Sequence, residues 1–539
     1  MMNFKYTAIA FTALSLTVSS CNDFLDEMPD NRTELDTPEK ITKLLVTAYP
    51  TTSWNLLAEF SSDNTDDNGP KYQIFDRLSR EIYEWKDTKE TGNDSPVTYW
   101  SSCYKAIATA NQALEAIDKL QAEGISPSLL SAQRGEALLC RAYGHFMLSY
   151  IFCEAWSESN KNTALGIPYS TLPETTVNPQ YDRETIGKTY EHIAADLEAG
   201  LPLIDDNNYS VAKYHFNSKA AYAFAARFYL YYCQYDKAIE YATKVLGNDP
   251  ALVMRDWGTL GSLSLNDDLQ PDAYVDASNR ANLLLYTARS YWGLYNGPLT
   301  TTNRYTHNPT ISKNETSEST GIWGDCSTTL KQIAANYTSI PKVVFRKYPF
   351  FYFEVVDPSA NTGYYNIVQA AFTTDEALLI RAEAYTMKKE YDKAIADMQI
   401  WENSYTTSKV ALTEQGINDF YGKLDYYTPQ KPTVKKELHP DFTIEPGTQE
   451  NMLHFILHAR RILTLHEGLR WGDIKRYGIV IDRFDDSAYN DDNTTGFTVA
   501  ATLGEKDLRR ALQLPQEVIT AGLEANPRNE NRPDHPFCQ

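Results

Sequence analysis

The pentapeptide Tyr-Asp-Lys-Ala-Ile occurs twice, at Tyr235–Ile239 and at Tyr391–Ile395. Each copy follows a similar stretch, "ARFYLYYCQ" from Ala226 and "AEAYTMKKE" from Ala382. In both, an Ala and a Tyr stand three apart (Ala226 and Tyr229; Ala382 and Tyr385), and the Ala of the pentapeptide follows the first Ala by twelve residues. Small residues at these positions let two helices approach closely, as in a tetratricopeptide unit of about 34 residues. Apolar residues at three- and four-residue intervals predict further helices over Tyr99 to Leu120, Leu129 to Trp156, Arg183 to Ile204, Ser218 to Leu246, Thr374 to Trp401 and Glu450 to Trp471. The expected fold class is therefore mostly α, a tetratricopeptide-like scaffold of helical hairpins.

The tandem period is broken between the copies. Residues 251–363 are rich in Thr, Ser, Asn, Gly and aromatic side chains, with few helical patterns and one strand-like stretch, Val343 to Val355. This predicts one body, 21–539, with a helical scaffold over 37–250 and 364–539 and a long irregular, aromatic-rich insertion with minor β over 251–363. Long excursions from a rigid scaffold are where binding sites tend to be placed. A second loop-rich segment runs from Asp419 to Pro446.

The N-terminus reads as a lipoprotein signal. The apolar run Tyr6 to Val18 is too short to span a bilayer, which takes about 20 residues, and it ends in Val18-Ser19-Ser20-Cys21. Small residues before a cysteine predict removal of 1–20 and lipidation at Cys21, which leaves a tethered body whose acyl chains each add about 0.8 kcal/mol of membrane affinity per buried methylene. No later segment offers about 18 consecutive apolar residues.

A formal net charge of -21, with no Lys/Arg-rich run, argues against nucleic acid as a partner. Aromatic residues reach 12%, with 37 Tyr and 9 Trp, so some rings are expected at the surface. The cysteines after Cys21 (Cys103, Cys140, Cys153, Cys233, Cys326 and Cys538) form no CxxC pair and suggest no zinc site. His454 and His458 are spaced like two metal ligands, but the glutamate of the HExxH pattern is missing. Asn64, Asp66, Asn68 and Gly69 imitate the start of a calcium loop, yet its twelfth position is Phe75. No metal and no cofactor are expected.

A carbohydrate site wants ring planes for stacking on C–H faces and polar side chains for hydroxyls. The candidates are Tyr291, Trp292, Tyr295 and Asn296 from "YTARSYWGLYNG" and Trp323 from "TGIWGDC". Asp67, Asn68 and Tyr72, with Trp85, are candidates for an opposite wall. A glycoside hydrolase needs two carboxylates facing each other across roughly 5–9.5 Å. No motif marks such a pair, and no GxSxG or phosphate loop occurs.

Distributed stretches resemble the SusD/RagB family of outer-membrane lipoproteins. They are "CNDFLDEMP" from Cys21, "YWSSCYKAIATANQAL", "RAYGHFMLSYIFCEAW" followed by "GIPY", "RETIGKTYEHIAADLEAGLPLI", "KAAYAFAARFYLYYCQYDKAIEYA", "EALLIRAEAYTMKKEYDKAI", "RRILTLHEGLRWGDIKRYG" and "LQLPQEVITAGLEANP". The resemblance implies a surface-exposed lipoprotein of the outer membrane. It would bind an oligosaccharide or other nutrient without catalysis and deliver it to a SusC-like TonB-dependent transporter. A surface glycoside hydrolase and a pure protein scaffold are the alternatives; buried rings in the insertion would favour the scaffold. Ala459 and Leu463 stand where the family pattern carries Glu, which predicts a thinner ion-pair lattice on that helix. The charges of "TLHEGLRWGDIKRYG" are expected to tie a helix end to the following loop, with Arg470, Asp473 and Arg476 pairing locally.

Overall fold

The computed structural model describes residues 34–174, 181–265, 267–297, 304–337, 340–484 and 498–528. The expected signal segment, Cys21 and Cys538 lie outside the described residues. The principal helices are α1 (Pro96–Ala122), α2 (Ser131–Phe152), α3 (Ile186–Gly200), α4 (Ser218–Tyr231), α5 (Tyr235–Leu246), α6 (Thr374–Met387), α7 (Tyr391–Tyr405), α8 (Glu414–Tyr421), α9 (Thr448–Leu463) and α10 (Arg470–Arg476). Their starts are written into the sequence. Ser95, Thr185, Asn217 and Thr373 each cap a helix by accepting from a backbone N–H of its first turn.

The helices stack in sequence, α1 on α2 and α2 on α3, then α4 on α5 and α6 on α7. The mostly α, tetratricopeptide-like expectation holds. The two pentapeptide units are neighbours, because α5 packs against α6 across the inserted chain. Ala226, Ala238, Ala382 and Ala394 are all fully buried, as close helix approach requires. The likeness extends into the turns: Cys233 and Lys389, each two residues before the pentapeptide, both hold positive φ, 55° and 62°. Behind them the N–H of Gln234 donates to Tyr229 and that of Glu390 to Tyr385, both at 2.9 Å, which closes the helix ends in the same way.

Between the two units the chain forms an antiparallel sheet of β1 (Asn282–Arg289), β2 (Phe353–Asp357) and β3 (Thr362–Thr373), in the order β1-β3-β2. The strand-like stretch 343–355 resolves into two pieces: Lys342–Phe345 pairs with Ala334–Tyr337, and the remainder opens β2. The longest strand, β3, runs directly into α6 through the Thr373 cap. Among the described residues no helix is long and apolar enough to cross a membrane.

The turn between α9 and α10 fastens these parts together. Its backbone carbonyls are gripped by aromatic and amide donors from distant segments: His466 by Trp292 (2.8 Å) and Asn55 (3.2 Å), Glu467 by Trp54 (3.1 Å), Gly468 by Tyr150 (2.6 Å). Gly468 has φ 75°, and a Cβ there would lie 2.7 Å from the Trp54 ring. The surrounding charges pair over long range, which corrects the expectation of local pairing. Arg470 makes a bidentate contact with Asp63 at 2.9 Å, Arg476 meets Glu383 at 2.7 Å, and Asp473 accepts from Arg460 at 2.8 Å. Arg476 and Asp473 approach each other only to 3.8 Å. With Ala459 and Leu463 on this helix, other elements supply partners to its arginines: Arg461 is held by Glu315 (2.7 Å), Asn64 (2.9 Å) and the Asp63 carbonyl (2.7 Å).

Glu383 is fully buried between Arg460, Arg476 and the Tyr477 hydroxyl. Burial alone would raise its carboxyl, but the two guanidinium groups overcome that and hold it down at about 2. A folded value below the unfolded one means stability that is present above about 4.5 and is lost as pH falls towards 2. Glu383→Gln should cost about 3–5 kcal/mol at pH 7 in urea unfolding, as expected for breaking a buried ion pair from one side. The gap from wild type should narrow as the pH drops below about 4.5.

Candidate functional site

Several rings proposed from the sequence are structural. Trp292 is 2% exposed, with its indole N–H committed to His466 and its ring edge-on to Phe60. Trp323, also 2% exposed, lies edge-on to Trp401 and folds back over Gly321, where a Cβ would stand 2.4 Å from the indole. The glycines beside Trp323 suggested an exposed loop; they are the flat seat that lets the ring turn inward. Trp85, at φ 54°, donates to the Ser61 carbonyl (2.9 Å) under the guanidinium of Arg483. Neither face of these three indoles is offered to a ligand.

The polar candidates are mostly committed as well. Asp67 is a buried acceptor for Arg304 (2.9 Å) and for the Gly69 N–H (2.8 Å). Asn68 is buried and donates to Thr306 (2.7 Å) and the Pro341 carbonyl (3.1 Å). Tyr295 is buried, its hydroxyl donating to Asp76 at 3.0 Å. Asn296 is half-buried and turned back on the Trp292 carbonyl. Tyr72 is half-buried, with the Lys71 ammonium 5.4 Å from its ring centre. Tyr291 is half-buried at the edge of a different group of rings.

Apart from Tyr291, that group was not among the sequence candidates. The segment Phe350–Phe353, just before and into β2, carries four consecutive aromatic residues. Alternation along a strand cannot bury them all. Phe351 is 58% exposed and Tyr352 and Tyr364 are each 37% exposed. Tyr365 on β3 is the hub: its ring centre lies 5.4 Å from Phe351, 4.9 Å from Phe353 and 5.6 Å from Tyr291, which in turn reaches Phe75 at 5.7 Å. On the other side of the strands, Arg289 covers the Tyr364 ring at 3.6 Å and Asn366 donates to Glu354 at 2.9 Å. The hydroxyls of Tyr291, Tyr352, Tyr364 and Tyr365 find no hydrogen-bond partner among the described residues. Ring planes and uncommitted hydroxyls therefore occur on both faces of these strands.

Local structure fixes this surface. Opposite Val355, Gly363 allows the strands to approach so closely that a Cβ would meet the Glu354 carbonyl at 1.9 Å. The Asp357 carboxylate turns the hairpin by accepting from the Ser359 N–H at 2.8 Å. Tyr291 is held from below: the buried Asp94 carboxylate accepts from its backbone N–H (2.7 Å) and from the Ser290 hydroxyl (2.5 Å). Burial pushes the Asp94 carboxyl up to about 7. His458 is engaged internally, with Ser319 and Tyr421 at 3.1 Å each, and burial pushes its imidazole down to about 3. Among the described residues, no group of three or more His, Cys, Asp or Glu side chains is placed to hold a metal ion.

Burial separates the two classes of ring by experiment. Trp292→Ala should cost about 3–5 kcal/mol in urea unfolding through the cavity it leaves, whereas Phe351→Ala should stay within about 0.5 kcal/mol of wild type.

Residues 23–230 match a family model described as SusD-like, starch-binding and associating with the outer membrane. No curated protein matches the chain. Among solved structures, a SusD superfamily protein from Bacteroides thetaiotaomicron VPI-5482 aligns over 91% of this chain and 100% of its own at 20% identity and a TM-score of 0.62. A putative sugar binding protein from Bacteroides vulgatus ATCC 8482 aligns over 92% and 99% at 18% identity and 0.62. A SusD-like carbohydrate binding protein from the same strain aligns over 93% and 98% at 16% identity and 0.58. At these identities the structural likeness is one of fold, and the family model carries the likeness of sequence. Residues 23–230 are thus similar in sequence to the SusD-like family, and the chain shares its fold with these solved structures.

Proposed function

We propose that this protein is a non-catalytic glycan-binding lipoprotein of the cell surface, tethered to the outer membrane through Cys21, which captures an oligosaccharide and passes it to a SusC-like TonB-dependent transporter. The observation that carries the binding half of this reading is the set of rings around β2 and β3, with Phe351 exposed against Tyr365 on one face, Tyr364 exposed beside Arg289 and Glu354 on the other, and Tyr352 exposed just before β2. Exposed rings with polar neighbours mark an interaction site. Rings with open faces next to free hydroxyls suit the alternating C–H and O–H surfaces of sugars. The family model's description, starch-binding and associating with the outer membrane, agrees with both the ligand class and the location.

Trp292 and Trp323 are packed in the core, a point in favour of a bare scaffold; the exposed ring group on β2 and β3 answers it, since a scaffold gains nothing from Phe351 held in water. The irregular insertion 251–363 supplies most of that surface, with β3 and Phe75 contributing from either side. Shallow stacking with no enclosed pocket implies micromolar or weaker affinity, about -8 kcal/mol or less in magnitude.

Affinity electrophoresis through gels carrying purified polysaccharides tests this reading. Wild type should be retarded by at least one of them, and the Phe351→Ala, Tyr352→Ala, Tyr364→Ala triple variant should lose at least about tenfold in affinity, since each stacked ring contributes roughly 0.5–1.5 kcal/mol. The retarding glycan should gain no new reducing ends on incubation with the protein. Unchanged retardation of a folded triple variant would remove this surface from the account.

A further inference from the structure

A cleft lies away from the ring surface and shares no residue with it. It has a volume of about 450 Å³ and opens where the chain leaving α2, the start of α3, the turn between α4 and α5, and the loop at Asp441–Phe442 meet. Its apolar corner is formed by Trp156 and Tyr232, edge to face at 89° with ring centres 4.8 Å apart, and Phe442 also lines it. Gly187 makes room on the α3 side, where a Cβ would lie 2.5 Å from the Lys161 carbonyl. Trp156 and Tyr232 are each half-buried, so their rings are partly open to solvent.

The charges around this corner do not balance. Glu158 is paired with Lys161, and Glu191 with Lys188 at 2.6 Å. Asp441 is exposed, lines the cleft, and has no ion-pair partner among the described residues. Behind the wall, burial and the nearby Asp441 carboxylate push the Glu154 carboxyl up, against the pull of Lys475. The Trp156 indole N–H is shut off from solvent and finds no acceptor.

We infer that this cleft is a second binding site, one that takes an organic cation: a guanidinium or alkylammonium group seated against the solvent-open parts of the Trp156 and Tyr232 rings and paired with Asp441. A cation is attracted to ring faces and gains about 0.5–2 kcal/mol there depending on desolvation. An uncommitted carboxylate at the mouth adds a charge-assisted hydrogen bond. Neutral sugars lack the charge that the site leaves unanswered.

Isothermal titration of the full chain at low salt tests this with arginine amide against citrulline amide, which has the same shape without the charge. Arginine amide should bind, and citrulline amide should bind at least about tenfold more weakly, as should arginine amide to Asp441→Asn. Asp441 is exposed in a loop, so this variant should fold as wild type does. A blocked Gly-Arg-Gly peptide separates the sources: binding at least as tight as the free amide points to an arginine carried by a protein partner, and loss of binding points to a free small cation. Equal binding of citrulline amide, an unaffected Asp441→Asn, or no saturation by about 10 mM arginine amide would overturn the inference. Glycan retardation by Asp441→Asn should match wild type.

Discussion

The structure depends on one turn, His466–Gly468, whose three carbonyls are held by donors from segments hundreds of residues away in sequence. Trp54 and Asn55 bring the N-terminal helix Asn55–Ser61, Tyr150 brings α2, and Trp292 brings the short helix Trp292–Asn296 next to the exposed rings. Each donor satisfies a buried carbonyl that would otherwise cost about 1–3 kcal/mol. The geometry tolerates no side chain at Gly468, which ties a single backbone position to the placement of both scaffold and insertion.

Around this turn the protein buries a large number of charges. Asp63, Glu315 and Glu383 sit among Arg460, Arg461, Arg470 and Arg476, and all are nearly out of solvent. Such clusters gain little net stability over apolar packing, but removing one member is costly. Their evident effect is to fix one arrangement: Asp63 and Asn64 from the N-terminal segment can meet Arg461 and Arg470 in a single register. Rigidity here is transmitted to the ring surface through Trp292 and through Asp94, which holds the backbone of Tyr291.

The helical scaffold was legible because its signals are local. The repeated pentapeptide, the caps at Ser95, Asn217 and Thr373, and the buried alanines all act within a few residues of themselves, and even the repeat's positive-φ turns at Cys233 and Lys389 fall at matching positions. The charges of the α9–α10 turn were legible as structural but not in their partners, since Asp63 and Glu383 are far away in sequence. The site was least legible. A tryptophan beside glycines reads as an exposed loop ring, yet Gly321 is what admits Trp323 to the core. The run Phe350–Phe353 reads as a strand, yet only Phe353 lies in one, and β2 is exposed along most of its length, which no pattern within the run discloses.

The central claim is that sugars lie against the rings of β2 and β3. A crystal of the protein grown with an oligosaccharide cut from the retarding polysaccharide tests it directly. The account predicts sugar rings stacked on Phe351, Tyr352 or Tyr364, with hydroxyls bonded to Arg289, Glu354 or the free tyrosine hydroxyls. A well-ordered oligosaccharide bound elsewhere, with this surface left bare, would contradict it.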